Sequence, residues 1–250
     1  MVEDGRVTIN GRRVVRIKTP ITESDKVEVH ERVRSIAKPS IAPLAIVYED
    51  EDLLIVDKPP GLLTSTVPSE KRPTAIAIVK NYLAANRKAR PGLVHRLDRD
   101  ASGLLVFAKT LAAFDSLKSQ FYHHTVGRVY EAKVHGVPEP AEGTIVARLV
   151  ESKEGKVFIA RDPKSGQSAV TRYKLVETVA GVSRIRVTLE TGRKHQIRAH
   201  LSSHGNPIVG DTVYGPNPPK HPQLQLRAIE LDLDHPRTGK RMEFRVGRLE

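Results

Sequence analysis

Five short segments in the second half of the chain alternate apolar and polar residues, and they constrain the fold more than any other feature. They are RVYEAKVHG (128–136), TIVARLV (144–150), KVFIA (156–160), AVTRYKLVE (169–177) and RIRVTLE (184–190). An alternation with a period of two predicts strands that bury one face and leave the other in solvent. Short connections between the segments favour hairpins over helical crossovers. The sequence therefore predicts an antiparallel sheet without a repeated βαβ unit.

Three helices and further strands surround this run. Strands are expected in LAIVYEDEDLLIVDKPPGL, in GLLVFAK and in LQLRAIELDLDHP, and a helix is expected in RKHQIRAHLSSHG. Thr74 and Thr110 are candidate N-caps of two more helices. At helical spacing, the side chains expected in the core are Ile76, Val79, Tyr82, Leu83, Leu111, Phe114, Leu117 and Phe121. The whole pattern indicates an α+β fold with a mixed, mainly antiparallel sheet and flanking helices.

The first forty residues form a separate segment. GRVTINGRRVV predicts two short strands around Asn10-Gly11, since both turn positions accept a positive φ, and SDKVEV predicts a third strand. AKPSIAP has the composition of a connector. We therefore expect a small β-rich segment over residues 1–38 and one larger domain over residues 39–250.

Several classes of protein are excluded or disfavoured by composition. The chain has 250 residues and no cysteine, so disulfides, thiolate nucleophiles and cysteine-ligated metals are excluded. Its ten histidines show no zinc-protease spacing, and we expect no metal. No segment has the apolar length of a membrane span, and the first residues lack the pattern of a signal peptide. We expect a cytoplasmic protein without a membrane partner, and a monomer by default.

The net charge of +12 is concentrated in two parts of the chain. Residues 71–109 hold nine Lys or Arg against two Asp, and residues 184–200 hold five against one Glu, which accounts for eleven of the twelve net charges. A dispersed excess would serve solubility, whereas two basic segments favour a groove for a polyanion. RNA or DNA is the expected partner class.

The loop GLVHRLDRDASGLLVFAKT places carboxylates among cations before an apolar strand. A carboxylate beside arginines is most often a surface ion pair, which stabilises little. Asp98, however, lies between a Pro-Gly break and a buried strand, where a rigid scaffold can aim its side chain. A nearby cation would keep it ionised and preserve an anionic nucleophile. Asp98 is therefore the candidate catalytic residue, and Asp100 is expected to bond backbone or a nearby arginine.

Two stretches, GLVHRLDRDASGLLVFAKT and TGRKHQIRAHLSSHGNPIVGDTVYG, together resemble the RluA-type family of pseudouridine synthases. The signature of that family is HRLD followed by a Ser-Gly-Leu-Leu strand. EDEDLLIVDKPPGLLT, GRVYEAKVHG, and TGRKHQIRAHL with NPIVGDTVYG resemble further family motifs in the same order, over about residues 46–215. Ala101 departs from the pattern, where a threonine is usual. The resemblance implies the pseudouridine synthase fold with a central active-site cleft, RNA as substrate, and no cofactor. The N-terminal strands resemble the strand half of an S4-like RNA-binding module. The segment is either a truncated module or a generic hairpin, and the likeness implies that residues 1–34 contact RNA.

The resemblance assigns a role to individual residues. It makes Asp98 the catalytic aspartate, Arg96 the side chain that fills the gap left by a flipped base, and Tyr130 the ring that packs on uracil. Arg198 becomes the cation that pairs with Asp98. It also makes Ile208 and Val209 the apolar wall below the base. From their charge and position, Arg99, Arg193 and Lys194 are expected to contact RNA phosphates.

Pseudouridine formation breaks a carbon–nitrogen glycosidic bond, turns the uracil and rejoins it through carbon. The carboxylate of Asp98 could add to the ring, attack the anomeric carbon or withdraw a ribose proton, and the sequence leaves all three routes open. The expected function is isomerisation of uridine in RNA after base flipping, with large-subunit ribosomal RNA favoured and transfer RNA an alternative. A rival of another class is an RNA-binding protein that has kept the fold and lost catalysis. A hydrolase pairing Asp98 with His95 would leave the tyrosine strand unexplained.

Overall fold

A computed structural model describes residues 7–14, 19–29, 44–66, 72–85, 91–216 and 221–249. The chain divides into two compact units, Met1–Ala42 and Pro43–Glu250. The boundary expected near residue 38 falls outside the described residues.

The smaller unit contains a three-stranded antiparallel sheet. Its strands are β1 (Val7–Ile9), β2 (Arg12–Arg13) and β3 (Val27–Val29), in the order β2-β1-β3. Asn10 and Gly11 both have positive φ, 49° and 77°, as a two-residue turn of this kind requires. The Asn10 side chain ties the turn to β3, because its Oδ1 accepts the backbone N–H of Lys26 at 2.9 Å. The predicted hairpin and third strand are confirmed.

In its described part, the larger unit is built on a sheet of eleven strands. They are β4 (Ala45–Glu49), β5 (Leu53–Lys58), β6 (Gly92–Leu93), β7 (Ser102–Ala108), β8 (Gly127–His135), β9 (Glu142–Glu151), β10 (Val157–Ile159), β11 (Gln167–Val179), β12 (Val182–Leu189), β13 (Leu226–Asp234) and β14 (Arg241–Arg245). The order is β10-β9-β11-β12-β8-β13-β7-β5-β4, with β14 on β13 and β6 on β7. Among the described strands, β13 and β7 form the single parallel pair. The expected α+β fold with a mixed, mainly antiparallel sheet is confirmed; β14 was not predicted.

Among the described residues, three helices flank this sheet, α1 (Ala75–Ala85), α2 (Leu111–Tyr122) and α3 (Gln196–Ser203). The hydroxyl of Thr110 accepts the N–H of Ala113 at 3.1 Å and caps α2 as predicted. Leu111 was expected in the core, but it is 76% exposed, whereas Ala113 in the same first turn is fully buried. Tyr82 on α1 is 37% exposed, and its hydroxyl donates to Glu49.

The central strands are covered on both faces. Leu54, Val56, Leu105 and Phe107 point to one side, where α1 packs, and their sequence neighbours point to the other side, where α2 packs. Burial of every residue of β7 makes this strand a rigid support for the loop that precedes it. In the described part of the chain, no helix is long and apolar enough to cross a membrane.

Candidate active site

A cleft of about 580 Å³ opens in the larger unit. Its walls come from the loop before β7, the end of α2, the start of β8, and the segment that links β12 to α3. The residues that line it are Leu93, Val94, His95, Arg96, Leu97, Asp98, Ala101, Lys118, Phe121, Tyr122, His124, Arg128, Tyr130, Leu189, Gly192, Arg193, Lys194, His195, Gln196, Ile197, Arg198 and Leu226. The two basic segments of the sequence, residues 71–109 and 184–200, thus meet at one concave surface.

The loop that carries Asp98 is fixed from below by two buried side chains. Lys58 is fully buried, and its ammonium donates to the backbone oxygens of Pro59, Leu62 and Arg99 at 2.8–2.9 Å. Burial lowers the pKa of Lys58 to about 8, while the negative charges of Asp100 and Asp98 oppose that fall. These three bonds use all three donors of the charged amine, so the loop is held as part of the core.

Thr64 supplies the second support. Its hydroxyl donates to the carbonyl of Leu97 at 2.8 Å and accepts the N–H of the same residue at 3.2 Å. The residue beside Asp98 is therefore bonded on both backbone groups. The sequence analysis missed Thr64 and Lys58, although both lie in motifs it quoted, because their partners are 33 and 41 residues away.

Arg198 joins Asp98 to a second carboxylate, Asp211. The Arg198 guanidinium donates from Nε and Nη2 to the two oxygens of Asp211 at 2.7 and 2.8 Å, and from Nη1 to Oδ2 of Asp98 at 3.2 Å. Asp211 also accepts the N–H groups of Val213 and Tyr214. The sequence paired Arg198 with Asp98 and missed Asp211, which lies two residues beyond the predicted wall.

The buried guanidinium keeps its charge. Burial by itself would lower the pKa of Arg198, but the hydrogen bonds and negative charges of Asp211 and Asp98 raise it above its usual value. Burial would likewise raise the pKa of Asp211, yet Arg198 holds it below its usual value. A permanent cation therefore lies beside the partly exposed Asp98 carboxylate.

Tyr214 and His195 complete the surroundings of Arg198. The guanidinium carbon of Arg198 lies 5.1 Å from the centre of the Tyr214 ring. The Tyr214 hydroxyl shares a hydrogen bond of 3.0 Å with Nδ1 of His195 and accepts the N–H of Val157 at 2.9 Å. The Tyr214 ring thus connects the NPIVGDTVYG segment, the start of α3 and the β9–β10 hairpin.

Tyr130 lies in the cleft on β8 and is 6% exposed; burial raises the pKa of its hydroxyl. The apolar part of the cleft comes from other strands and from α3, and the side chains concerned are Leu97, Leu189, Ile197 and Leu226. Ile208 and Val209 are not among the lining residues. Ile208 is fully buried and forms a bridge to Val134, and Val209 bonds to the backbone of Lys133. Both residues pair with the backbone of β8, and their assignment to the wall below the base stays a prediction.

The remaining sequence-predicted cations separate into two groups. Arg96, Arg193 and Lys194 line the cleft, and Lys194 also pairs with Glu151 at 2.5 Å. Arg99 is outside the lining and pairs with Asp100 at 2.8 Å, as expected for Asp100.

His95 is fixed as a neutral ring. Its Nε2 accepts the N–H of Val106 at 3.1 Å, and its ring stacks on Phe121 with centroids 4.7 Å apart. Burial, together with the positive charge of Arg128, lowers the pKa of His95 to about 3. A nitrogen committed to the backbone of β7 is not available as a general base, which removes the basis for a hydrolase with His95.

One group of side chains away from the cleft has the spacing of metal ligands. The donor atoms of Asp50, Asp52 and His235 lie within 4.8 Å of one another. Each already has protein partners: Asp50 bonds His235 at 2.9 Å, and Asp52 bonds Arg237 at 2.7 Å. The cluster fixes the turn between β4 and β5 to the turn before β14.

Comparison with known proteins identifies the family. A model of the RNA pseudouridylate synthase family matches residues 52–203. An uncharacterized RNA pseudouridine synthase of Bacillus subtilis is 38% identical over 254 residues, covering 97% of this chain and 82% of its own length. A ribosomal large subunit pseudouridine synthase D of Pseudomonas aeruginosa is 36% identical over 264 residues, covering 97% of this chain and 80% of its own length.

Solved structures agree. Human RNA pseudouridylate synthase domain containing 1 is 26% identical, with a TM-score of 0.66 over 82% of this chain and 83% of that chain. Human RNA pseudouridylate synthase domain containing 4, at 24% identity and a TM-score of 0.67, covers 82% of this chain and 88% of that chain and shows the same fold. This chain belongs to the RluA-type family of RNA pseudouridine synthases and is an isomerase of uridine in RNA.

Proposed function

We propose that this enzyme forms pseudouridine in large-subunit ribosomal RNA, with Asp98 as its catalytic carboxylate. The observation that carries the assignment is the position of Asp98, which lies in the cleft with Oδ2 3.2 Å from Arg198. The RNA class rests on relatives at 36% and 34% identity that bear the name ribosomal large subunit pseudouridine synthase D, in Pseudomonas aeruginosa and Escherichia coli.

The reaction requires an ionised carboxylate beside the glycosidic bond. The bond between N1 of uracil and C1′ of ribose breaks, a bond between C5 and C1′ forms, and the proton on C5 is exchanged for one on N1. No oxidant or reductant takes part. Arg198 orients the Asp98 carboxylate through the bond from Nη1, while its bidentate bond to Asp211 fixes the guanidinium itself. Addition to the ring, attack on C1′ and removal of a ribose proton all start from this arrangement.

The base must leave the RNA stack before Asp98 can reach it, which costs a few kcal/mol. Arg96 lines the cleft with an exposed side chain two residues before Asp98, so it is placed to enter the gap in the RNA. Tyr130 offers its ring to the extruded uracil, a contact worth about 1 to 3 kcal/mol. Leu189, Ile197 and Leu226 provide an apolar wall of the cleft.

The rim of the cleft is assigned to the RNA backbone. Arg193 and Lys194 lie beside the proposed base pocket and are positioned for phosphates. Arg99 is exposed and already paired with Asp100, so its contribution to RNA binding is the smaller. RNA contact by residues 1–34 stays a prediction that rests on the likeness to an S4-type module, and a cytoplasmic monomer likewise stays a prediction.

Mapping pseudouridines in total RNA tests the substrate assignment. RNA is taken from cells that carry the gene, cells that lack it, and cells that carry Asp98→Asn. We expect at least one large-subunit ribosomal site to disappear in the second and third strains together. Loss confined to transfer RNA would overturn the ribosomal assignment.

The same strains test the catalytic assignment. A ribosomal site that survives in cells with Asp98→Asn but disappears in cells without the gene would show that another group carries the chemistry. Arg245→Gln is the matched control, because Arg245 is an exposed residue of β14 that pairs with Glu243. This variant should retain every modified site.

A further inference from the structure

We propose that Arg128 is the phosphate-binding residue of the cleft and holds the phosphodiester next to the flipped uridine. The inference deepens the proposed function and rests on base flipping into this cleft. It assigns an RNA contact to a side chain that sequence motifs did not single out.

Arg128 is a buried cation whose hydrogen-bonding capacity is largely unused. Its side chain lies in the lining of the cleft, and the residue is only 8% exposed. Its Nε has no hydrogen-bond partner, and its Nη2 makes one long bond of 3.5 Å to the carbonyl of Glu190. No ion pair connects Arg128 to a carboxylate among the described residues. Burial lowers the pKa of this guanidinium, as expected for a charge without a counter-ion.

Other partly buried arginines of the sheet show what a structural role looks like. Arg184 on β12 donates to Glu177 at 2.8 Å and to Glu131 at 3.1 Å. Arg198 is bound by Asp211 and Asp98. A buried guanidinium is ordinarily matched by carboxylates because an unpaired charge in the interior is costly. Arg128 departs from that rule at a surface that faces the substrate.

The guanidinium is held in place without being neutralised. Its central carbon lies 5.6 Å from the centre of the Phe121 ring, which in turn stacks on the neutral ring of His95. Gly192 also contacts this side chain, since a Cβ there would collide with Nη1 of Arg128. The glycine therefore provides the space that the guanidinium occupies, and the ring of Phe121 lies within cation–π distance of it.

The charges around Arg128 favour an anion over a neutral base. Arg96, Lys118 and Arg193 line the same cleft, whereas its one lining carboxylate, Asp98, is bonded to Arg198. Uracil offers carbonyl oxygens but no net charge, and so it does not balance a buried cation. A phosphodiester supplies one negative charge and two oxygens that match the guanidinium fork.

The first test uses small probes and does not require the natural RNA. Binding of uridine, uridine 5′-monophosphate and uridine 3′-monophosphate is measured by NMR titration at millimolar concentration. For the wild type, we expect one monophosphate to bind at least about ten-fold more tightly than uridine, which corresponds to one charge-assisted contact. For Arg128→Met, uridine and both monophosphates should bind alike. The preferred isomer tells which side of the nucleotide the arginine holds.

Equal binding of uridine and both monophosphates to the wild type, including no measurable binding of any, overturns the proposal. An unchanged preference in Arg128→Met overturns it as well. Because these probes need no turnover, failure of the ribosomal assignment leaves this outcome unaffected. Arg245→Met is the control and should keep the wild-type preference.

Thermal unfolding separates a binding role from a structural one. If Arg128 binds phosphate, the free protein carries an unpaired charge, and Arg128→Met should have a melting temperature equal to or above that of the wild type. The proposal is overturned if the melting temperature of Arg128→Met falls clearly and Gly192→Ala retains the phosphate preference. That outcome would assign Arg128 to the fold. Loss of the preference in Gly192→Ala, where the charge is kept and displaced, supports the binding geometry.

Discussion

Two buried arginines line the cleft, and they differ in their partners. Arg198 is matched by Asp211 and Asp98. Arg128 lies 5.6 Å from the centre of the Phe121 ring and has no carboxylate partner in the described chain. In the proposed function, the matched charges fix the catalytic carboxylate before RNA arrives, and the unmatched charge is left for an RNA phosphate. Preorganised chemistry and substrate binding would then belong to different arginines of one pocket.

Removal of Arg198 should have the largest effect. Arg198→Met leaves Asp211 buried without its cation, and we expect a loss of about 3 to 5 kcal/mol in the free energy of unfolding. Catalysis should fall by at least about 100-fold, since Asp98 loses its fixed electrostatic partner. Urea unfolding and single-turnover rates measure the two effects. An Arg198→Met variant as stable as the wild type would mean that the carboxylate partners of Arg198 do not stabilise the fold. The proposed difference between Arg198 and Arg128 would then be lost.

The loss of unfolding free energy in Arg198→Met should depend on pH. Asp211 has a folded-state pKa below its usual value of 3.8, so its ion pair contributes stability that is present above that value and is lost as the pH falls through the lower folded pKa. The difference in stability between wild type and Arg198→Met should therefore be full at neutral pH and begin to shrink above 3.8, because burial raises the pKa of Asp211 once Arg198 is gone. It should shrink further below 3.8 as the wild-type ion pair is lost. Urea titrations over this range give the curve. A constant difference would mean that the pair is not what stabilises the site.

Loss of the proposed intercalating side chain should have an intermediate effect. Arg96→Ala should slow modification of a structured stem-loop at least about ten-fold more than modification of a flexible single strand, which corresponds to about 1.4 kcal/mol of flipping energy. Both rates come from tritium release on matched RNAs. Equal slowing on the two substrates would argue against insertion of Arg96 into the stack.

The smallest effect is expected at the rim. Arg193→Gln should weaken RNA binding and lower the slope of log Kd against log salt by about one, with little change in the rate at saturating RNA. Filter binding over a range of salt concentrations measures this slope. A large change in the saturated rate would place Arg193 in the chemistry and not at the phosphate rim.

Local signals in the sequence were sufficient for much of the fold. The Asn10-Gly11 turn, the Thr110 cap and the alternating strands each depend on a few adjacent residues, and each is present as predicted. Leu111 shows the limit of a helical stripe, because a residue just inside the cap can satisfy the spacing and still face solvent.

The parts of the site that the sequence analysis missed depend on long-range packing. Asp211 takes the two shortest bonds of Arg198, and Lys58 reaches the carbonyl of Arg99 across 41 residues. Arg128 has no carboxylate partner among the described residues. None of these relations has a local pattern. Ile208 and Val209 were assigned by resemblance alone, and only the structure shows that both pair with the backbone of β8.

One paired measurement tests the separation of chemistry from substrate capture most directly. The Kd for one substrate RNA and the single-turnover rate at saturating RNA are measured for Asp98→Asn and Arg128→Met. The account predicts that Asp98→Asn keeps the wild-type Kd and loses turnover by about a thousand-fold or more. Arg128→Met should bind about ten-fold more weakly, at the level of one lost charge-assisted contact, and keep a near-normal saturated rate. If both variants change the Kd, or both change the saturated rate, Asp98 and Arg128 do not have separate roles.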